Sequence, residues 1–261
     1  MPRFAANLSM MFQEYPFLDR FAAARAAGFE AVEFLFPYDY PAREIAGRLR
    51  DHGLSLVLFN APPGDWAAGE RGLACHPGRQ QEFRDGILRA LDYAGELRCP
   101  RLHVMAGIMP PGVAPATLSA VYAINLAWAA ERAIAEGVTC VIEPINQRDM
   151  PGYALTGTAA AVQVIEAVGR DRLGLQLDLY HTQISEGDLV PRARALLPYI
   201  AHMQVADTPG RHEPGTGEVN WPFVFAEIDA MGYQGWIGCE YRPKAGTLEG
   251  LGWFAPYRGG R

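Results

Sequence analysis

Four polar residues stand where apolar runs end. The runs at 139–142, 173–177, 200–203 and 236–239 lead into Glu143, Asp178, Gln204 and Glu240. Each residue follows the last by about one strand–helix unit, so the four side chains can converge on one point. Three carboxylates brought together repel, and each loses hydration. A bound divalent cation removes that conflict. All-oxygen ligation by Glu, Asp and Gln suits a hard ion such as Mg2+ or Mn2+. No Cys or His stands at these four ends, which argues against a structural zinc site. Any one of the four could be a capping or surface side chain at the start of a loop. Three carboxylates and an amide after four successive apolar runs are harder to read that way, since carboxylates there are seldom buried unless paired or metal-bound.

Positioning such ends requires alternating strands and helices. Strand candidates are 4–8, 31–34, 55–60, 101–105, 139–143, 173–178, 200–205 and 236–240. Helix candidates lie between them at 17–27, 42–51, 78–97, 116–136, 158–168 and 222–231. Most run into a glycine, a helix stop signal. In the third, Phe83, Ile87, Leu91 and Ala94 share one face. Eight strands, each followed by a helix, predict an α/β fold, a single (β/α)8 TIM barrel over 1–261. A doubly wound sheet would call for a glycine-rich turn after the first strand. Asn7, Leu8, Ser9 and Met10 stand there instead. Barrels of this kind keep their active sites at the C-terminal strand ends, where the four polar residues lie.

Composition narrows the function. The 261 residues carry a formal net charge of -6, which argues against a general nucleic-acid or anionic-membrane binder. No run of 18 apolar residues occurs and no secretory signal is evident, which points to the cytoplasm. Cys75, Cys99, Cys140 and Cys239 are widely spaced and read as reduced thiols. Lys244 is the single lysine. It sits in a loop-like stretch, so no P-loop is possible and a Schiff base would rest on that residue alone.

The chain resembles the hydroxypyruvate isomerase family within the xylose isomerase-like TIM barrels. The likeness covers essentially the whole chain. It is carried by RFAANLSMM (3–11), EFLFPYDY (33–40), GDWAAGERG (64–72), IEPIN (142–146), EPGTGE (213–218) and GWIGCEY (235–241). The resemblance implies Glu143 and Glu240 as paired catalytic glutamates. It implies Glu143, Asp178, Gln204 and Glu240 as ligands of a divalent metal ion. Related epimerases carry His where Gln204 stands. The implied reaction converts hydroxypyruvate to 2-hydroxy-3-oxopropanoate (tartronate semialdehyde). One glutamate would remove a proton from the hydroxyl-bearing carbon and the other would return one to its neighbour, through an enediolate. A hydride shift is the competing route. Xylose isomerases that use it carry a barrel lysine, which no barrel strand offers here.

The implied substrate is a small keto acid, so a cation should face its carboxylate. Arg71, Arg211 and Arg242 fall in loops on the expected catalytic face, and the family's loop pattern favours Arg211. Each could equally be a surface arginine. His181 could bond a substrate oxygen, hold a ligand, or simply start a helix. Asp149 is placed to bind substrate or to be a solvated loop residue. The 64–72 loop with Trp66 could be a lid or a packing excursion. His103 reads as a packing residue on its strand. The segment with Leu126 and Trp128 would allow a homo-oligomer, or be core.

Three other functions compete. A 2-oxo-tetronate isomerase has the same chemistry on an acid one carbon longer; LTGT (155–158) and ADTPGR (206–211) favour the hydroxypyruvate subgroup. A DNA-repair nuclease on this barrel would need a histidine-rich multi-zinc cluster and a basic face, against six scattered histidines and an acidic charge. A binding barrel without turnover is the third. A sugar isomerase or epimerase of the same superfamily is further away, because Gln204 stands where it has His.

Overall fold

A computed structural model describes residues 1–258. Eight strands are joined in sequence order into a closed barrel. They are β1 (Arg3–Asn7), β2 (Ala31–Glu33), β3 (Ser55–Asn60), β4 (Arg101–His103), β5 (Thr139–Ile142), β6 (Leu173–Asp178), β7 (Ile200–Val205) and β8 (Trp236–Cys239). All neighbours pair in parallel, and β8 returns to β1. The helices are α1 (Arg20–Ala26), α2 (Ala42–His52), α3 (Gln80–Leu97), α4 (Pro115–Ala135), α5 (Thr158–Val168), α6 (Leu179–Ser185), α7 (Leu189–Leu196) and α8 (Trp221–Ala230). The barrel expected from the sequence is therefore the fold.

Several boundaries differ. β5 and β8 stop one residue before Glu143 and Glu240, whose backbones leave the ladder as the loops begin. At Glu143 the following Pro144 has no N–H to continue it. β4 ends at His103, two residues early. Two short helices, α6 and α7, replace an undivided stretch between β6 and β7. No loop announces α6, because Asp178 ends the strand and also caps the helix, accepting the Tyr180 N–H at 2.8 Å. After β8 comes a 3-10 segment, Glu249–Tyr257, where Gly250, Gly252 and Pro256 disfavour an α-helix.

The helices bury their apolar faces on the outside of the barrel. In α3 the anticipated Phe83, Ile87, Leu91 and Ala94 are all buried. Leu126 is core, and the half-buried Trp128 lies under Arg84 and Arg132. All four cysteines are buried and unpaired. Among the described residues no helix is long and apolar enough to cross a membrane.

The barrel interior decides where the site sits. Strand side chains alternate in and out. Ala5, Ala31, Val57 and Val141 form a buried apolar layer. Two residues further along each of three of these strands stand Asn7, Glu33 and Glu143, all buried. On β6 and β7 the inward sequence is Gln176 then Asp178, and His202 then Gln204. A polar floor results. Glu33 Oε1 accepts from Asn7 Nδ2 at 3.0 Å and Gln204 Nε2 at 2.8 Å, and Glu33 Oε2 lies 2.7 Å from His202 Nε2. Gly238 makes room, since a Cβ there would collide with the Glu33 carboxylate.

Candidate active site

Above this floor, at the C-terminal strand ends, lies a cavity of about 600 Å3. Glu143, Glu240, His181, His103, Arg71 and Arg211 line it, with Asp149, Tyr180, Trp66 and Arg242. Glu143, Asp178 and His181 form a possible metal-binding triad, each offering an atom within 4.8 Å of the others. Two carboxylate oxygens there, Glu143 Oε1 and Asp178 Oδ2, are buried with no hydrogen-bond partner. Orphaned acceptors of this kind are costly unless a cation or donor meets them. The donor set fits a hard divalent ion.

Gln204 pairs directly with Asp178 across the β6–β7 ladder. Its Nε2 donates to Glu33, and its Oε1 accepts from Gln176 Nε2 at 2.6 Å. A carbonyl oxygen has two lone pairs, so one remains.

Burial dominates the electrostatics. It pushes the Glu240 carboxyl up to about 8 and Asp178 up to about 6. Glu143 is raised well above the usual carboxylate range, by burial first and then by the charges of Glu240 and Asp178. Arg211 opposes this. Its guanidinium lies 3.0 Å from Glu240, 3.5 Å from Asp178 and 3.8 Å from Asp149, and stacks over Tyr180. Its own pKa is raised: burial lowers it, but the three acids Glu240, Asp178 and Glu143 outweigh burial. Burial and the Arg211 charge hold His181 well below the ordinary histidine range, so its ring is neutral.

The loop after β7 aims Arg211. Asp207 accepts backbone N–H groups of Thr208, Gly215, Gly217 and Val219. Gly217 is required, since a Cβ would strike the Thr208 carbonyl. Arg211 itself takes a positive φ of 55°, sparsely populated for a side-chain-bearing residue. The EPGTGE string is thus the scaffold of this arginine.

Arg71 is engaged differently. It donates Nη1 to the Trp66 and Glu70 carbonyls and stacks 3.7 Å from the Trp66 ring centroid. Trp66 in turn rests on Phe36. Glu70 pairs with Arg79 and accepts the Asp65 N–H, which folds the loop back on itself. The 64–72 loop therefore forms part of the cavity wall.

His103 lies on the cavity wall and is not only a packing residue. Its Nε2 is unpartnered and 3.7 Å from Glu143. Burial and the nearby His202 push its pKa down to about 3. The signal for it was a lone histidine closing an apolar strand. Asn60, which also lines the cavity, closes β3 in the same way. Lys244 is exposed in a loop.

A family model described as xylose isomerase-like TIM barrel matches residues 21–257. The chain belongs to that family. It is 56% identical to a protein of Cupriavidus necator named 2-oxo-tetronate isomerase, covering 99% of this chain and 100% of that one. It is 46% identical to a protein of Escherichia coli K12 named hydroxypyruvate isomerase, again over 99% and 100%. A crystal structure from Brucella melitensis, titled AP endonuclease, family 2, is 50% identical, with a TM-score of 0.97 over 99% of this chain and all of that one. As a member of this xylose isomerase-like family with named isomerases at this identity, the chain is an isomerase.

Proposed function

We propose that the chain interconverts hydroxypyruvate and 2-hydroxy-3-oxopropanoate, with Glu143 and Glu240 as the proton-transferring pair. The observation that carries this is that Glu143 and Glu240 line one cavity with Asp178 buried beside them. Two of their oxygens are orphaned, and burial raises both glutamates above the usual carboxylate range, Glu240 to about 8. A carboxyl titrating near the working pH suits general acid–base catalysis.

Glu143, Asp178, Gln204 and Glu240 would hold Mg2+ or Mn2+. When bound, the ion supplies Lewis-acid polarisation of the substrate carbonyl. The chain's own residues do the rest. One glutamate takes the proton from C3, the hydroxyl-bearing carbon, and the C–H electrons form the C2–C3 double bond of an enediolate. The other glutamate delivers a proton to C2. A proton also leaves the C3 oxygen and one joins the C2 oxygen, so ketone and hydroxyl exchange places. Arg71 takes the substrate carboxylate, since its guanidinium lines the cavity and bonds only backbone carbonyls of its own loop. Arg211 serves chiefly to steady Glu240, and reaches substrate from there. His181 faces a substrate oxygen.

A second reading, a 2-oxo-tetronate isomerase, shares the C1–C3 frame and adds one carbon on C3. The Cupriavidus relative at 56% identity supports it, as does a cavity with room beyond three carbons. A nuclease, suggested by the Brucella title, is disfavoured by the acidic balance. The buried free thiols support a reducing compartment, the cytoplasm. The partner is a small molecule, with no nucleic acid or membrane; a homo-oligomer is compatible with the fold.

Purified protein with Mn2+ should turn over hydroxypyruvate, and chelator should stop it. Faster turnover of the four-carbon acid would move the assignment to the second reading. Turnover of neither acid with Mn2+ bound would leave a binding barrel.

A further inference from the structure

Asn146 and His181 meet at 2.6 Å, Nδ2 to Nδ1, and both side chains are buried. One nitrogen must donate and the other accept. A second contact fixes which way the amide faces: Asn146 Oδ1 accepts the Asp149 backbone N–H at 2.8 Å. Turned over, the amide would set its NH2 against that N–H and leave donors unpaired. An amide NH2 only donates. His181 Nδ1 is therefore the acceptor and carries no proton. An imidazole with a bare Nδ1 carries its one proton on Nε2. Nε2 lies 3.6 Å from Asp178 Oδ2 and 3.8 Å from Glu143 Oε1, beyond hydrogen-bond range. These are the two orphaned oxygens beside the cavity.

We propose that Asn146 is a positioning residue that locks His181 as the Nε2–H tautomer, making His181 a neutral hydrogen-bond donor to substrate and not a metal ligand. A ligand nitrogen offers a lone pair, and Nε2–H has none. The ligand set is then the carboxylates with Gln204, although His181 stands close enough to be counted. The proposal goes beyond the isomerase reading and rests on it only for the identity of the acceptor, a substrate oxygen. Negative charge shifts between two such oxygens during isomerisation. A neutral, pre-aimed donor stabilises it without adding another full charge to the cluster.

The test is nitrogen NMR on protein labelled with 15N-histidine and freed of metal by chelator. The His181 signals are assigned by their loss in His181→Gln. The expected spectrum has Nδ1 unprotonated and Nε2 protonated. Asn146→Asp keeps an oxygen for the Asp149 N–H but sets an acceptor against Nδ1, so it should place a proton on Nδ1. It should also free the Nε2 lone pair and raise affinity for Zn2+ relative to Mn2+ by about tenfold or more, since imidazole favours zinc. A wild-type His181 protonated on Nδ1 overturns the proposal, even if the variant fails to fold. So does an Asn146→Asp protein that keeps the wild-type tautomer, or one that changes tautomer with no change in the Zn2+/Mn2+ ratio. If the tautomers behave as stated but neither acid is turned over, the isomerase reading falls and the Asn146 assignment stands.

Discussion

Arg211 Nη2 lies 3.0 Å from Glu240 Oε2 and 3.5 Å from Asp178 Oδ2. One buried cation thus spans the carboxylates of two barrel strands from a loop built around Asp207. Removing the guanidinium strands those charges. Arg211→Met should lower kcat/KM by about a hundredfold or more, the scale of an unpaired buried charge. It should not weaken Mn2+ binding, because a competing positive charge has gone. Kinetics with Mn2+ calorimetry checks this; weaker Mn2+ binding in the variant contradicts it.

The raised carboxyls make the metal-free protein sensitive to pH. Asp178 and Glu240 keep protons in the folded state up to about 6 and about 8, because burial penalises their charge. Unfolded, they release them near ordinary carboxylate values, so between those limits the folded state binds more protons. Their contribution is fully present at low pH and is lost as pH rises through the folded values. In chelator, denaturant melts should show stability falling from about pH 6.5 to about pH 8, where Glu240 still titrates and the buried neutral His103 and His181 no longer offset it, by about 1.4 kcal/mol per pH unit for each titrating group. Added Mn2+ should reverse the slope, because the ion displaces those protons.

The same burial cost predicts an unusual stabilisation. Glu143→Gln removes a carboxyl whose ionised form is disfavoured by burial and by Glu240. Turnover should vanish, while the metal-free protein at pH 8 gains about 1–3 kcal/mol, the scale of relieving a poorly compensated buried acid. A loss of stability on chemical denaturation at pH 8 would contradict the account.

Arg71 is predicted to act in binding. Arg71→Met keeps a side chain against Trp66 and removes the charge. KM for the keto acid should rise about 10- to 100-fold, the scale of a charge-assisted bidentate contact, with kcat within a few-fold. A fall in kcat alone would place Arg71 outside the carboxylate site.

The barrel and the convergence of four strand ends were legible because both are local patterns. Apolar runs at a regular spacing mark the strands, and the residue that breaks each run marks its end. The polar floor was not legible. Glu33 points inward beneath the site only because Gly238, across the β1 closure of the barrel, leaves space for it. His103 looks like packing on a short apolar strand, and only the closed barrel turns it to the cavity. The engagement of Arg211 with Glu240 depends on a loop held by four backbone contacts to Asp207, which no sequence spacing displays. Helix α6, whose start was expected near His181, follows β6 without a loop because its cap is the last residue of that strand.

The most direct test of proton transfer between Glu143 and Glu240 is isomerisation of hydroxypyruvate in D2O with Mn2+, read by NMR of the product. The account predicts one deuterium at C2, delivered from a carboxyl that has exchanged with solvent, and loss of both turnover and label in Glu143→Gln and Glu240→Gln. Product formed at full rate with no solvent deuterium at C2 would mean that hydrogen moves directly between carbons, and would contradict the role given to the two glutamates.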